Sequence, residues 1–449
     1  MSIRRIFVFA YLDSAEPVVA GILDYDEAAR MSRFGYAHSY LMRSDAVPLS
    51  PELALTDRII QTTSINEGLP GCVRDAMPDY WGRLVYASLH QIPVESVSNA
   101  DLLLADVAER VGFLDFSEAP DWKQGRGRDI PLVKDVQYLV QAAEALAKNH
   151  PLPLEWDAIA RLLAQGSSLG GARPKSVVQI GNDLWLAKFP DRQDTYDVSA
   201  VEYATWCIAQ DAGIRIPEAQ LLNLPDGRHV FLSRRFDRQG KRRIPIVSAL
   251  TALDLDETEN AKGGYPLLAD ILLQQGDVEN RNDLFRRMVF NVAVRNTDDH
   301  LRNHALLYDF SARNWRLSPA YDLNPSVKTP GVGETFDLAI NIGRYGRAAN
   351  RENLESRLSA FGLNSSQALE IMEQVIQIVS RWHEYFAKVG IDAVTTRTLA
   401  ESFESASRVF CHKPDERLDR LVRAMLNPKD KNIETKHFIK KPTGPSGPS

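Results

Sequence analysis

The chain is poor in cysteine. Its 449 residues hold three, Cys72, Cys207 and Cys411, widely spaced and without a CxxC pair. That pattern argues against a disulfide framework or a cysteine zinc site and suits a reducing compartment. Long apolar runs are lacking too. No segment approaches the roughly 20 residues needed to cross a bilayer, so no membrane association is expected. The opening residues 1–9 read as a strand rather than a signal peptide, and the expected location is cytoplasmic. An excess of positive charge is also missing. A net charge of −6 argues against the whole chain acting as a nucleic-acid binder. No internal repeat is visible. What is present is an ordinary globular composition, 44% apolar and 25% charged, over a length that calls for two or three domains.

Residues 1–125 read as a small α/β subdomain. Strands are predicted over 6–11 and 18–23, and a helix over 78–89 with Pro78 in its first turn. Residues 126–245 read as a second unit, entered through a proline-rich join. Its expected elements are a helix over 134–148, a Gly-rich loop over 166–174 and a hairpin of 177–180 and 184–189. A helix over 199–212 closed by Gly213 and a strand over 228–233 follow. Residues 246–430 read as mostly helical, with apolar stripes over 283–295 and 366–388 that suit packed core. The remaining 431–449 are rich in Lys, Gly, Pro and Ser and read as a disordered tail.

The loop between Gly166 and Gly171 has the gap of a Walker A motif, but Ala172 stands where Lys should follow, and Lys175-Ser176 arrive three residues late. It also leads into a hairpin, whereas a Walker loop opens a helix. A glycine-rich loop between strand-like elements suits a kinase lid over ATP phosphates, with Gly170, Gly171, Ala172 and Lys175 placed to contact nucleotide. Lys188, on the second hairpin strand, can reach the α/β-phosphates as a point charge. Glu202 on the following helix is its expected partner.

Downstream, Asn296-Thr-Asp-Asp-His-Leu-Arg-Asn303 sets Asp298 and Asn303 five residues apart after an apolar helix. A strand pair over 305–308 and 315–317 then leads to Asp322. The order is that of a phosphoryl-transfer centre. One carboxylate orients the attacking hydroxyl, while an amide and a second carboxylate offer hard oxygens to Mg²⁺. His300 and His304 read as structural histidines, because no clear metal-ligand spacing surrounds them. Arg234-Arg235 and Arg286-Arg287 read as solvated basic faces. No HRD or DFG tripeptide occurs, so the chain is not an ordinary eukaryotic-type protein kinase.

Ser168-Leu-Gly-Gly-Ala-Arg-Pro-Lys175, Arg235-Phe-Asp-Arg238, Asn296–Asn303 and Ser318-Pro-Ala-Tyr-Asp-Leu-Asn-Pro325 together resemble the HipA toxin family. Phe34-Gly-Tyr36, Pro48-Leu-Ser50 and Met77-Pro-Asp-Tyr-Trp81 resemble that family's N-terminal subdomain. The resemblance implies an α+β, protein-kinase-like two-lobed fold. It has a mixed N-terminal lobe, an extra N-terminal subdomain and a helical C-terminal lobe. It implies a Ser/Thr kinase using ATP and Mg²⁺, acting as the toxin of a type II toxin–antitoxin pair. Asp298 matches the catalytic Asp, Asn303 and Asp322 the Mg²⁺ ligands, Lys188 the ATP-contacting lysine, and Ser168 the loop serine that family members autophosphorylate. The implied partners are a HipB-like helix-turn-helix antitoxin, operator DNA through that complex, and a protein substrate of the aminoacyl-tRNA synthetase kind. Pro174 departs from the polar or acidic residue of some members and stiffens the loop. Two other readings stand beside this one: an antitoxin-bound co-repressor with little kinase activity, and a small-molecule kinase on the same architecture.

Overall fold

The computed structural model describes residues 3–12, 16–107, 109–122, 130–147, 157–164, 173–191, 193–328, 335–410 and 421–422. The Gly-rich loop through Ala172, Cys411 and the tail expected to be disordered lie outside them.

The N-terminal sheet is antiparallel in the order β4-β3-β2-β1-β5, from β1 (Arg4–Ala10), β2 (Val18–Asp26), β3 (Met31–Tyr36), β4 (Ile60–Thr63) and β5 (Leu114–Ser117). Ile6, Val8, Leu23 and Phe34 bury one face, the period-2 pattern of a half-covered sheet. Helix α1 (His38–Leu41) lies between β3 and β4, and α2 (Gly71–Asp75), α3 (Tyr80–His90) and α4 (Asn99–Leu104) lie between β4 and β5. Helix α3 starts two residues later than predicted. The Asp79 side chain accepts from the backbone N–H groups of Trp81 and Gly82, at 3.1 and 3.4 Å, and so caps the helix, which leaves Pro78 outside it.

The second unit holds α5 (Val136–Ala147), α6 (Asp157–Ala164), β6 (Lys175–Ile180), β7 (Asp183–Lys188), α7 (Val198–Asp211), β8 (Ala219–Asn223) and β9 (His229–Arg234). Its antiparallel sheet runs β6-β7-β9-β8. Leu139 and Ala143 of α5 pack with Val178, Trp185, Ala187 and Leu232 of the sheet, and Trp81 and Val85 of α3 join the same core. Trp81 Nε1 donates to the Lys175 carbonyl at 2.9 Å. One N-terminal helix is therefore part of the wall that carries the loop root.

A short ribbon of β10 (Arg238–Gln239) and β11 (Arg242–Arg243) leads to a three-stranded sheet of β12 (Ile246–Ser248), β13 (Ala305–Asp309) and β14 (Asn314–Leu317). The C-terminal helices are α8 (Ala249–Ala252), α9 (Tyr265–Gln274), α10 (Asn280–Ala293), α11 (Arg351–Glu355), α12 (Ser365–Val379), α13 (Trp382–Val389) and α14 (Ala393–Arg408). The stripe over 366–388 is thus two helices. The chain breaks at Ser380–Arg381, which seats Trp382 flat on Phe403 of α14 with ring centroids 4.5 Å apart. The apolar periodicity survives the break, so it hid it.

The Arg235-Phe-Asp237 stretch is a clasp rather than a solvated face. Arg235 is buried, bonded to both Asp237 oxygens at 2.9 and 2.7 Å and to the carbonyls of Glu109 and Arg110. Burial would raise the Glu109 carboxyl, but Arg238, Arg243 and Arg235 hold it below its ordinary value. Arg287 is also buried, paired with Asp283 at 2.6 Å and bonded to the Ser318 carbonyl. Helix α2 meets α8 closely at Gly71, where an added Cβ would lie 2.6 Å from the Thr251 side chain.

Candidate active site

Helix α10 ends in a Schellman turn. Asn296 N–H bonds Asn291 O at 2.8 Å, Arg295 N–H bonds Val292 O at 3.1 Å, and Arg295 takes φ +55°, the left-handed position that glycine usually fills. The turn throws the chain into the 296–303 loop. Of its adjacent aspartates, Asp299 points inward and Asp298 outward. Asp299 is buried and bonded to His304 Nε2 at 2.9 Å, while the Tyr265 hydroxyl donates to its other oxygen. Asn291 Nδ2 donates to that hydroxyl at 2.9 Å. Burial, and then the Asp299 charge, push the Tyr265 phenol well above its ordinary value. A loop backbone pinned by so many buried polar bonds has one arrangement available to it.

Asp298 is exposed, and its carbonyl accepts from His300 N–H at 2.9 Å and from Asn303 Nδ2 at 3.0 Å. Partial burial raises its carboxyl. The charges of Asp322 and Asp299 add to the rise, and His300 opposes it.

Asp322 follows β14 in a left-handed conformation, φ +58°, which asparagine and aspartate tolerate better than most residues. Its carbonyl accepts from Asn296 Nδ2 at 3.4 Å, and Tyr321 Oη donates to the Arg302 carbonyl at 2.7 Å, so both acidic segments are stitched together. Its carboxylate reaches Lys188 of β7 at 2.7 Å, and Lys188 also meets Glu202 of α7 at 2.6 Å. Burial alone would raise Asp322, but Lys188, Lys175 and His300 more than offset it and bring the carboxyl down to about 2. Burial alone would lower Lys188, and the two carboxylates raise it instead. The expected Lys188–Glu202 pair is present.

Part of this arrangement borders a cavity of about 570 Å³, within the usual range for a small-molecule site, while Asp298 lies in the same loop as Asn303 but is not part of the lining. Lys188, Glu202, Asn303 and Asp322 line it, with Leu186, Phe231 and Phe236 as apolar walls. Lys175 differs from the expectation. It is buried beside Lys188, 3.9 Å from Asp79, and does not line the cavity. Burial lowers its pKa, and the neighbouring Lys188 charge adds to that while Asp79 opposes it. Strand pairing explains the position: Lys175 and Lys188 are direct partners across β6 and β7. Of the two histidines, His304 is structural, as expected. His300 is not, because it lines the cavity and its charge acts on both Asp298 and Asp322. Gly170, Gly171, Ala172 and Ser168 lie outside the described residues.

Sequence reasoning missed two groups. The Tyr265–Asp299–His304 network was open only through the Asp298-Asp299 doublet with His304 following. Arg74, Asp75, Asp79 and Tyr80, which bring N-terminal residues to the cavity wall, carried no local sign of it.

Asp322 and Asn303 offer hard oxygen donors that suit a divalent cation. Because the Asn303 amide nitrogen is committed to the Asp298 carbonyl, its oxygen is the atom left for a cation. Among the described residues no group of three or more His, Cys, Asp or Glu could hold a metal, so phosphate oxygens or water would complete the shell. No helix among the described residues is long and apolar enough to cross a membrane.

The protein is similar over 177 residues, at 28% identity, to "Putative kinase Y4dM" of Sinorhizobium fredii, covering 37% of this chain and 42% of that one. It is similar over 203 residues, at 26% identity, to a "Putative kinase" of Haemophilus influenzae, covering 40% and 58%. The matches thus span about half the length of these relatives. A chain of the Shewanella oneidensis MR-1 complex of HipA, HipB and operator DNA shares the fold, with a TM-score of 0.65 at 15% identity over 93% of this chain and 99% of that one. The HipA N-terminal domain model matches residues 14–117 and the HipA-like C-terminal domain model residues 167–382, and the chain therefore belongs to the HipA family.

Proposed function

We propose that the chain is an ATP- and Mg²⁺-dependent serine/threonine kinase and the toxin of a toxin–antitoxin pair. The observation that carries this reading is the meeting of Lys188, Asn303 and Asp322 at one cavity, with Asp298 in the same loop as Asn303. Lys188, steadied by Glu202, is the cation for the α/β-phosphates. Asp322 and Asn303 would hold Mg²⁺, which supplies charge neutralisation on the phosphates when bound. Leu186, Phe231 and Phe236 give the adenine an apolar face.

Asp298 accepts the proton of the attacking hydroxyl. The new bond joins that oxygen to the γ-phosphorus as the bond to the ADP oxygen breaks. The Gly-rich loop, with Gly170, Gly171 and Ala172, covers the phosphates, its downstream root fixed by an Arg173–Asp194 ion pair and by Phe189 N–H on the Pro174 carbonyl at 2.9 Å. Ser168 in that loop is the self-acceptor. Its phosphate would add close to two negative charges beside the nucleotide phosphates and eject the loop. The likeness to the HipA, HipB and operator DNA complex supports a HipB-like antitoxin and, through it, operator DNA as partners. The family resemblance supports a translation-related protein substrate.

The test is to incubate the purified chain with ATP and Mg²⁺ and map phosphate by mass spectrometry, beside Asp298→Asn. The expected result is phosphate on Ser168 in the parent alone. Absence of transfer to the chain or to any lysate protein would overturn the reading.

A further inference from the structure

We propose that the acceptor hydroxyl is selected by an acidic residue close to it, held by Arg74 and Arg302 on the N-terminal side of the cleft. The proposal rests on the kinase reading and names what that site recognises. Arg74 comes from the last turn of α2. Arg302 comes from the 3-10 turn Leu301–Asn303, directly before the Asn303 that faces the cavity. Both line the cavity, and both reach one carboxylate oxygen of Glu257, Arg302 at 2.6 Å and Arg74 at 3.2 Å. Two guanidinium groups far apart in the sequence converge on a single carboxylate.

That arrangement has capacity to spare. Among the described residues Arg74 Nη1 and Arg302 Nε are buried without a hydrogen-bond partner, and each guanidinium carries five N–H donors in a fork that matches a carboxylate. The acids nearby are engaged elsewhere. Asp75 bonds Ser248 through N–H at 2.7 Å and Oγ at 2.9 Å, Asp79 caps α3, and Glu67 is bonded by Asn99. Glu257 itself sits on a 3-10 turn with its side chain 48% exposed, so an incoming carboxylate can join or displace it. Burial lowers Arg74, and the neighbouring charge of Arg302 lowers it further, a repulsion that a second anion relieves.

The nucleotide side of the cavity has its own cation, Lys188, paired with Asp322 at 2.7 Å, whereas Arg74 and Arg302 meet Glu257 instead. The arginine pair is therefore left for the acceptor. Because Arg302 adjoins Asn303, and one residue of extended chain spans about 3.5 Å, the acidic residue falls within about three positions of the acceptor Ser or Thr. Tyr80, 59% exposed on the same wall, gives the acceptor segment a flat ring to lie against.

The test uses the full chain with ATP and Mg²⁺ and a set of Ser-centred peptides that differ only in having Glu, Gln or Lys at the flanking positions. Glu peptides should be phosphorylated about tenfold or more faster in kcat/KM than Gln peptides, through KM. Arg74→Glu should turn the preference toward Lys peptides, and Glu257→Gln should lower KM for Glu peptides. A fluorescent ATP analogue reports nucleotide affinity separately, and Arg74→Glu should leave it within about twofold, against the tenfold expected of a lost charged contact. Should Arg74→Glu not fold, Arg74→Lys and Glu257→Gln carry the same comparison. Phosphate transfer without acidic bias overturns the subsite alone, as does self-labelling with no peptide labelled. A fall in nucleotide affinity matching the rise in peptide KM instead gives these arginines to the ATP phosphates. No transfer to peptide or to the chain itself removes the kinase reading together with the subsite.

Discussion

Lys188 and Asp322 stand 134 residues apart in the sequence and meet at 2.7 Å across the cleft. Glu202, with 1% of its surface exposed, shares the same ammonium at 2.6 Å. The raised Lys188 pKa means that its stabilisation is complete below the ordinary lysine range and is lost only as pH rises through the raised value, so it is fully present at neutral pH.

Lys188→Met should therefore do two things. It should cut phosphate transfer by more than about 100-fold, since a charge on the phosphates is lost. It should also destabilise the fold by on the order of 2–3 kcal/mol, because Glu202 is left buried without its cation, while the more exposed Asp322 recovers water. A Lys188→Met/Glu202→Leu double variant should regain most of the stability and none of the activity. Radiolabelled phosphate measures the first effect, and urea midpoints of the three chains the second.

Asp298→Asn should abolish transfer, by about 1,000-fold or more, without weakening the fold. The Asp298 carboxyl is raised, so the folded state holds its proton more tightly than the unfolded one, and stability falls as pH rises through that interval. Removing the charge relieves that penalty, though exposure limits the gain to a few tenths of a kcal/mol, about 0.5 at most. The same shift sets the pH profile. Asp298 must be ionised to accept a proton, so the acid limb of kcat/KM should lie above the range of a free aspartate. An acid limb at or below that range would remove Asp298 from the proton-accepting role.

Tyr265→Phe tests the buried anchor of the loop. The change leaves one Asp299 oxygen and the Asn291 amide without their shared partner, at about 1–3 kcal/mol. The cavity lining is untouched, so nucleotide affinity should hold while kcat falls about tenfold through the displaced Asp298. Equal losses in nucleotide affinity and kcat would mean that the network supports the whole lobe and not the loop.

The parts of the site legible in the sequence were those set by local geometry. The β6–β7 hairpin follows from the turn at Gly181 to Asp183. Glu202 reaches Lys188 because α7 turns that face inward. Asp298 and Asn303 fall on one loop because α10 ends where its apolar stripe does. What stayed hidden depends on packing between distant segments. His300 and His304 look alike in sequence, and burial alone separates the cavity residue from the structural one. Arg235 and Arg287 read as surface charge until Asp237, Glu109 and Asp283 enclose them. Arg74 and Tyr80 come to the cavity because α2 and α3 dock against α8 and β6, which no local pattern announces.

Glu52 offers a pH test of that docking. Burial, with the charges of Asp75 and Asp254 adding to it, pushes its carboxyl from 4.5 up to about 7. A carboxyl raised by folding favours the protonated native state, so its penalty is absent in acid and grows as pH rises from about 4.5 through 7. Among the described residues neither Glu52 oxygen has a hydrogen-bond partner, and its own backbone and the Ser50 side chain only partly oppose the burial. Glu52→Gln should accordingly gain on the order of 1–2 kcal/mol at pH 8 and almost nothing at pH 5, read as urea midpoints at the two values. Asp75, whose charge acts on Glu52, is on the same short helix as Arg74, so the parent chain should also lose peptide affinity above pH 7 more steeply than Glu52→Gln does. Identical slopes in the two chains would separate this carboxyl from the cleft wall.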